Sequence, residues 1–428
     1  MKVNFVYSDL NPCGGAEKFS LVTMRAFLKM GFEIDLTSLE FPDRKRLEMA
    51  FGYELVSVMD KVKKINILDI FDSENISRNV ENGYDLTINT HGDLDPYYHT
   101  ACTKKNTMTY CHFPSAKRLI ESENEEYFGR YLRVDRMENT INSYLINQQN
   151  LYHNNQVSMN SFNLKSYVEW LRFAYEAMVR NSTLITNSKY SQRAIHESFG
   201  INGSLVIFPP VDVNTFREES LIPSIKNKCR TDSIIVICRI DPSKKIERAL
   251  QLAKVLKGNN IASEMIIIGN LDPFFYNYYS SLREMVIDYD LTDYVKFEIN
   301  ITLSGLIEHL KTGNILFHPK DGEHFGMSIV EGISAGLIPI VPSIGGQTEY
   351  VPHKYQYSTL NEAAIMISKF ISTADSERLK LSDSMNQFST EIYDKKIQLV
   401  TKGLLTNART EGLHISGGLS TESVNGSI

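Results

Sequence analysis

Two runs of alternating β-rich and amphipathic helical segments most constrain the fold of this 428-residue chain, and the proline-bearing stretch FPPVDVNTF (208–216) separates them. Strands joined through intervening helices lie parallel, so each run calls for a parallel sheet covered by helices. In the first run KVNFVYS (2–8) reads as a strand. Ala16–Lys29 reads as a helix with Phe19, Val22, Phe27 and Leu28 on its apolar stripe, Gly31 stops it, and EIDLTS is the next strand. Tyr84–Thr90, Met108–His112 and LIT (184–186) continue the strands. A helix capped by Asn187 or Ser188 then runs to about Gly200. In the second run SIIVICR, MIIIG, VKFEI (295–299), NILFHP and LIPIV are strands. Ile246–Leu256, about 275–289, Leu303–Lys311 and Gly326–Ala335 are the helices between them, and Ser376–Leu405 reads as one more helix.

The expected fold class is therefore α/β, two Rossmann-like doubly wound domains facing across an inter-domain cleft. Ligands of such folds bind at the carboxyl edges of the strands. The expected divisions are a first domain over 1–207, a linker over 208–216, a second domain over 217–385, a helix over 386–405 and a disordered tail over 406–428, which is polar and rich in Gly and Ser. A helical insertion is expected over about 115–181, with Leu164, Val168, Leu171, Tyr175 and Met178 at helical spacing. It reads either as a helix packed on the domain or as an acceptor- or membrane-facing element carrying Trp170, Phe173, Arg172 and Arg180.

Charge and composition remove several classes of function. Lys and Arg number 45 against 51 Asp and Glu, a net charge of −6, which argues against a general nucleic-acid binder. No apolar run reaches the ~18 residues of a spanning helix, and the N-terminus lacks a signal-peptide core. Cys13, Cys102, Cys111, Cys229 and Cys238 are scattered and odd in number. They read as reduced thiols of a cytoplasmic protein.

Several residues stand where chemistry is done. Gly14 and Gly15 lie between the first strand and its helix, and suit either a tight turn or close backbone approach to a phosphate. Arg239 ends a strand in CRIDPSKK, and Lys244 follows five residues later at a helix start. The pair fits a diphosphate clamp or, less specifically, a solvated basic turn. In GEHFGMSIVEGISAGLIPIV, Glu323 precedes a helix and Glu331 lies eight residues on, inside it. The backbone of Phe325, Gly326, Met327 and Ser328 forms that helix start and can cradle a phosphate or a hydroxyl. Glu331 is either an exposed surface carboxylate or one kept for sugar hydroxyls. Gly345–Gly346 makes another tight turn. His112 at a strand end is a structural histidine or a substrate contact. Asp93 and Asp95 between His91 and His99 fit a turn better than a metal site, and no metal is expected.

In order, PCGGAEKF, the Arg-x4-Lys of CRIDPSKK and the Glu-x7-Glu of EHFGMSIVE resemble family 4 of the retaining glycosyltransferases. TNSKYS and PPVD between the halves fit the same pattern, and the resemblance covers about residues 2–400. CHFPS and the EHFG form are similar to the mannosyltransferases that extend dolichol-linked oligosaccharides. The resemblance implies a GT-B fold, an acceptor-side first domain, a second domain binding the nucleotide-sugar, and a last helix crossing back to the first. It implies that Arg239 and Lys244 neutralise the donor diphosphate, Glu331 binds the ribose and Glu323 contacts the transferred sugar. The Phe325–Ser328 backbone would hold sugar and phosphate, Gly14–Gly15 would approach the β-phosphate, and His112 would lie near the anomeric centre. No cofactor or metal is implied. The donor is a nucleotide-sugar, GDP-mannose first. The acceptor is a glycan or lipid-linked glycan, reached by peripheral contact with the cytoplasmic membrane face. Two readings stand beside it: a UDP-sugar transferase or nucleotide-sugar epimerase of the same fold, and a catalytically silent binding subunit.

Overall fold

The computed structural model describes residues 1–67, 83–91, 106–115 and 182–416, with the side chains of its last helix as far as Thr406. The insertion expected over 115–181, beyond Ser115, lies outside the described residues, as do Asp93, Asp95, His99 and Cys102.

The first sheet contains β1 (Lys2–Val6), β2 (Glu33–Ser38), β3 (Val62–Ile67), β4 (Leu86–Asn89), β5 (Thr107–Cys111), β6 (Thr183–Thr186) and β7 (Leu205–Val206). All pairings are parallel, in the order β3-β2-β1-β4-β5-β6-β7. The second contains β8 (Ser233–Ile237), β9 (Glu264–Gly269), β10 (Val295–Ile299), β11 (Ile315–Phe317), β12 (Ile338–Pro342) and β13 (Gln356–Tyr357), also parallel, in the order β10-β9-β8-β11-β12-β13. The strand order reverses beside β1 in one sheet and beside β8 in the other. Crevices open at these switch points, at the carboxyl ends of the strands.

Helix α1 (Gly15–Lys29) follows β1 and buries Phe19, Val22 and Phe27 on the first sheet. Helix α2 (Arg44–Phe51) begins at Asp43, whose side chain accepts from the Arg46 N–H at 3.2 Å. Helix α3 (Lys189–Phe199) is capped by Ser188 and ends at Gly200 in the left-handed region. Around the second sheet lie α4 (Ile246–Gly258), α5 (Tyr276–Asp288), α6 (Leu303–Thr312), α7 (Met327–Ser334) and α8 (Leu360–Phe370). Each sheet has its own buried core.

Within the segment expected as a linker over 208–216, the Asp212 carboxylate accepts the Thr215 hydroxyl at 2.8 Å, and a short helix begins at Val213. Two expectations are corrected. The helix expected over Ser376–Leu405 is two, α9 (Asp375–Ser384) and α10 (Thr390–Ser416), with a short 3₁₀ turn over Met385–Phe388 between them. Ser389 is extended there because it pairs with Val211 as an isolated parallel bridge, and the Val211 N–H donates to the Phe388 carbonyl at 2.8 Å. Helix also continues to Ser416, past the point where the polar tail was expected to begin. Helix α10 packs on the first core: Tyr393 and Ile397 belong to that core, and the Thr23 and Tyr393 hydroxyls are 2.8 Å apart.

Candidate active site

A cavity of about 390 Å³ lies between the carboxyl edges of the two sheets. Its lining includes Gly14, Gly15, His112, Arg239, Lys244, Glu323, Phe325, Gly326, Met327, Ser328 and Glu331, while the Gly345–Gly346 turn lies outside it. The volume falls in the range of small-molecule sites.

The loop from β11 to α7 is held from outside the cavity. The Glu323 carbonyl accepts the Gly346 N–H at 2.7 Å, and Ser188 Oγ donates to the His324 carbonyl at 2.7 Å. Tyr350 OH donates to the Phe325 carbonyl at 2.7 Å and reaches the Gly326 carbonyl at 3.1 Å. The Ile329 and Val330 N–H groups bond the Gly326 carbonyl at 3.0 and 3.3 Å, so in the first turn of α7 the Met327 and Ser328 N–H groups are the ones without an intrahelical acceptor, and both residues line the cavity. Gly326 has φ +89°, where a side chain is strained. A Cβ on Gly346 would lie 2.0 Å from the His324 carbonyl oxygen, so the Gly345–Gly346 turn is a packing requirement of this loop. Ser328 Oγ ties α7 to the end of β8 through the Ile237 carbonyl at 3.1 Å.

Glu323 is buried within its own half. Its Oε2 lies 2.9 Å from Lys244 Nζ, 3.4 Å from His318 Nε2 and 3.8 Å from Lys320 Nζ. Burial alone would raise its pKa, but Lys244, Lys320 and His318 outweigh it and hold the carboxyl well below the usual range. Burial pulls Lys244 down, and Glu323 more than restores it, so the ammonium titrates above its ordinary value. Lys320 is pushed down by burial. The carboxylate and the Lys244 ammonium are thus both charged at neutral pH.

Glu331, the fifth residue of α7, is also buried, which leaves the exposed-surface reading of this residue without support. Its Oε1 accepts from Lys18 Nζ of α1 at 2.6 Å, an ion pair between the two halves. Two more contacts cross here: Asn270 Nδ2 donates to the Cys13 carbonyl at 2.7 Å, and a Cβ on Gly14 would lie 2.9 Å from Arg239 Cδ. A Cβ on Gly15 would lie 3.3 Å from Met327 Sδ, so the amino ends of α1 and α7 meet across the cavity. The Gly14 N–H is already taken by Glu17 Oε2 at 2.6 Å, while Tyr7 OH donates to Glu17 Oε1 at 2.7 Å.

His112 follows β5 and packs edge-on against Phe19 and Tyr110, at 5.2 and 4.9 Å between ring centres. Burial lowers its pKa to about 4, so it is neutral at pH 7. Its Nε2 is buried with no hydrogen-bond partner among the described residues. Phe113 stacks flat on His324 across the cleft, at 4.1 Å and 1°. Burial pushes His324 down to about 3. Among the described residues no group of three or more His, Cys, Asp or Glu is placed to hold a metal ion, and no helix is long and apolar enough to cross a membrane.

The sequence reading missed Lys18, Glu17, Asn270, His318 and Lys320. His318 and Lys320 carried a local signal, because they follow a strand end as Arg239 does. Lys18 carried none, standing 313 residues from its partner.

Comparison with known proteins agrees with this geometry. Residues 218–387 match the family model of glycosyl transferases group 1. A Neurospora crassa protein named GDP-Man:Man(3)GlcNAc(2)-PP-Dol alpha-1,2-mannosyltransferase is 24% identical over 261 residues, 54% of this chain and 47% of that protein. The human protein of the same name is 25% identical over 237 residues, 51% of this chain and 47% of that protein. The chain therefore spans about half the length of the curated relatives it matches. A solved glycosyltransferase from Rickettsia africae superposes with a TM-score of 0.65 at 16% identity, covering 95% of this chain and 99% of that one. The chain thus has the two-domain GT-B fold of solved glycosyltransferases, with the match to the glycosyl transferases group 1 model confined to its second half, residues 218–387.

Proposed function

We propose that the chain is a retaining glycosyltransferase that moves a hexose, first of all mannose from GDP-mannose, onto a lipid-linked saccharide or another glycan acceptor. One observation carries the reading. Arg239, Lys244 and the amino ends of α1 and α7 converge on one cavity that also holds the buried carboxylates Glu323 and Glu331.

The chemistry follows from where charge develops. Breaking the anomeric bond leaves a sugar of oxocarbenium character and a diphosphate gaining negative charge. Arg239, Lys244 and the helix ends are fixed in advance around the place for that charge, so little reorganisation is needed at the moment of reaction. Lys244 and Glu323 form one ion pair, and in this reading it serves both ends of the breaking bond. The ammonium meets phosphate oxygen, and the carboxylate accepts a sugar hydroxyl. Glu331 accepts from the ribose hydroxyls. Neutral His112 presents Nε2 near the anomeric centre without adding charge there. Gly14 and Gly15 contribute close backbone approach, because the Gly14 N–H is already engaged by Glu17. The relatives' names support GDP-mannose and a dolichol-linked acceptor. Neither carboxylate is assigned as a nucleophile.

Calorimetry with GDP, UDP and ADP on the wild type and on Glu331→Ala tests the reading. Selective GDP binding, weakened about tenfold or more in the variant, is expected. Selective UDP binding would move the donor to a UDP-sugar. Binding of none of the three would overturn the assignment. Donor conversion without acceptor would replace transfer by epimerisation.

A further inference from the structure

Resting on the ribose role of Glu331, we infer that Lys18 is a positioning residue that completes the nucleoside site from the opposite half of the molecule. Three observations carry this. Lys18 Nζ lies 2.6 Å from Glu331 Oε1, and both side chains are largely buried, at 14% and 10% exposure. The ammonium also lies 5.5 Å from the Phe216 ring centre, so its head is enclosed between that ring and the carboxylate. And both residues line the cavity, where Glu331 Oε2 has no protein partner among the described residues.

A carboxylate with one oxygen pinned and the other open is oriented before its ligand arrives. A lone buried carboxylate would instead swing, recruit water or take a proton. Lys18 belongs to α1, directly after the glycine turn. The ion pair forms only when the first half is seated on the second, as it is here through the Asn270–Cys13 contact and the Arg239–Gly14 approach. Ribose recognition is therefore coupled to closure. With the halves apart, Glu331 faces solvent and lacks the cation that fixes it. With the halves together, the cation sets Oε2 toward the cavity. Lys18 acts through Glu331 and does not touch the donor.

The test compares a nucleoside diphosphate with its 2′,3′-dideoxy form, GDP first, or UDP or ADP if the wild type prefers that base. The ratio of the two affinities isolates the contribution of the ribose hydroxyls. Lys18→Met is expected to weaken the ribonucleotide about tenfold while barely changing the dideoxy form, collapsing the preference. Lys18→Arg, which keeps a charged donor for the carboxylate, should retain the preference within about threefold. In a Glu331→Ala background, Lys18→Met should change neither affinity further. Thermal melts confirm folding, and Lys18→Gln replaces the Met variant if that one does not fold. Equal weakening of both nucleotides would overturn the inference, because Lys18 would then meet the phosphates directly. Tighter binding would overturn it too, because Lys18 would then be an occupant the donor must displace. An unchanged preference would do the same. If Glu331→Ala alone leaves the preference intact, the ribose role itself falls, whatever Lys18 does. If no nucleotide binds the wild type, both readings fall together.

Discussion

Glu323 and Glu331 begin as a matched pair in one sequence block, yet the fold treats them differently. Glu323 sits on a loop braced within the second half, and its neighbours Lys244, His318 and Lys320 all come from that half. Glu331 sits on a helix, and its cation comes from the first half. The first carboxylate is ready whether the cleft is open or shut, whereas the second is complete only when the halves meet. The end of the cavity proposed for the sugar is thus preset, and the end proposed for the nucleoside is assembled by closure.

Substitutions can break this contrast, beginning with the largest effect. Glu323→Gln should reduce transfer by roughly 10²–10³, the scale of losing one preorganised charged contact, with nucleotide affinity nearly unchanged. Steady-state rates together with GDP calorimetry would show whether the loss lies in turnover. A comparable loss of affinity would mean that Glu323 also serves the nucleoside end. Gly346→Ala tests the bracing: a Cβ 2.0 Å from the His324 oxygen forces the loop to move. The expected cost is about 2–3 kcal/mol in denaturant unfolding, accompanied by weaker transfer. An unperturbed midpoint would show that the loop is not held as described. The smallest effect is on pH dependence. His324 and His112 are held neutral by burial, down to about 3 and about 4, against an ordinary value near 6.5. The unfolded chain binds these protons first, so stability is full above about pH 6.5 and falls as pH drops toward 4. His324→Phe keeps a ring for Phe113 to stack on and removes one of these protons. It should narrow the Tm difference between pH 7 and pH 5 by about 2–4 °C.

Much of this was legible in the sequence because its signals are local. Gly14–Gly15, Arg239 with Lys244, and Glu323 with Glu331 each stand beside a strand end or a helix start that periodicity reveals. Their common cavity then follows from parallel sheets, whose carboxyl edges gather loops from distant strands. Helix α2 escaped notice because its charged face dominates: only Leu47 and Phe51 are buried in DRKRLEMAF. The break at Ser389 escaped notice because its cause is tertiary, a pairing with Val211 that helical periodicity does not encode. The partnership of Lys18 and Glu331 was invisible for the same reason. Glu331 is marked by its own sequence block, but nothing local ties it to Lys18, 313 residues away, until the halves face each other.

The Val211–Ser389 bridge has a mechanical consequence. The chain passes between the halves twice, and the two passages lie side by side, joined by a hydrogen bond. A single tether would let one half swivel about the chain as well as swing. Two adjacent tethers resist that torsion and leave one inexpensive motion, opening and shutting about their common line. The opposed faces then return to the same alignment on every cycle, and Lys18 finds its carboxylate again without a rotational search.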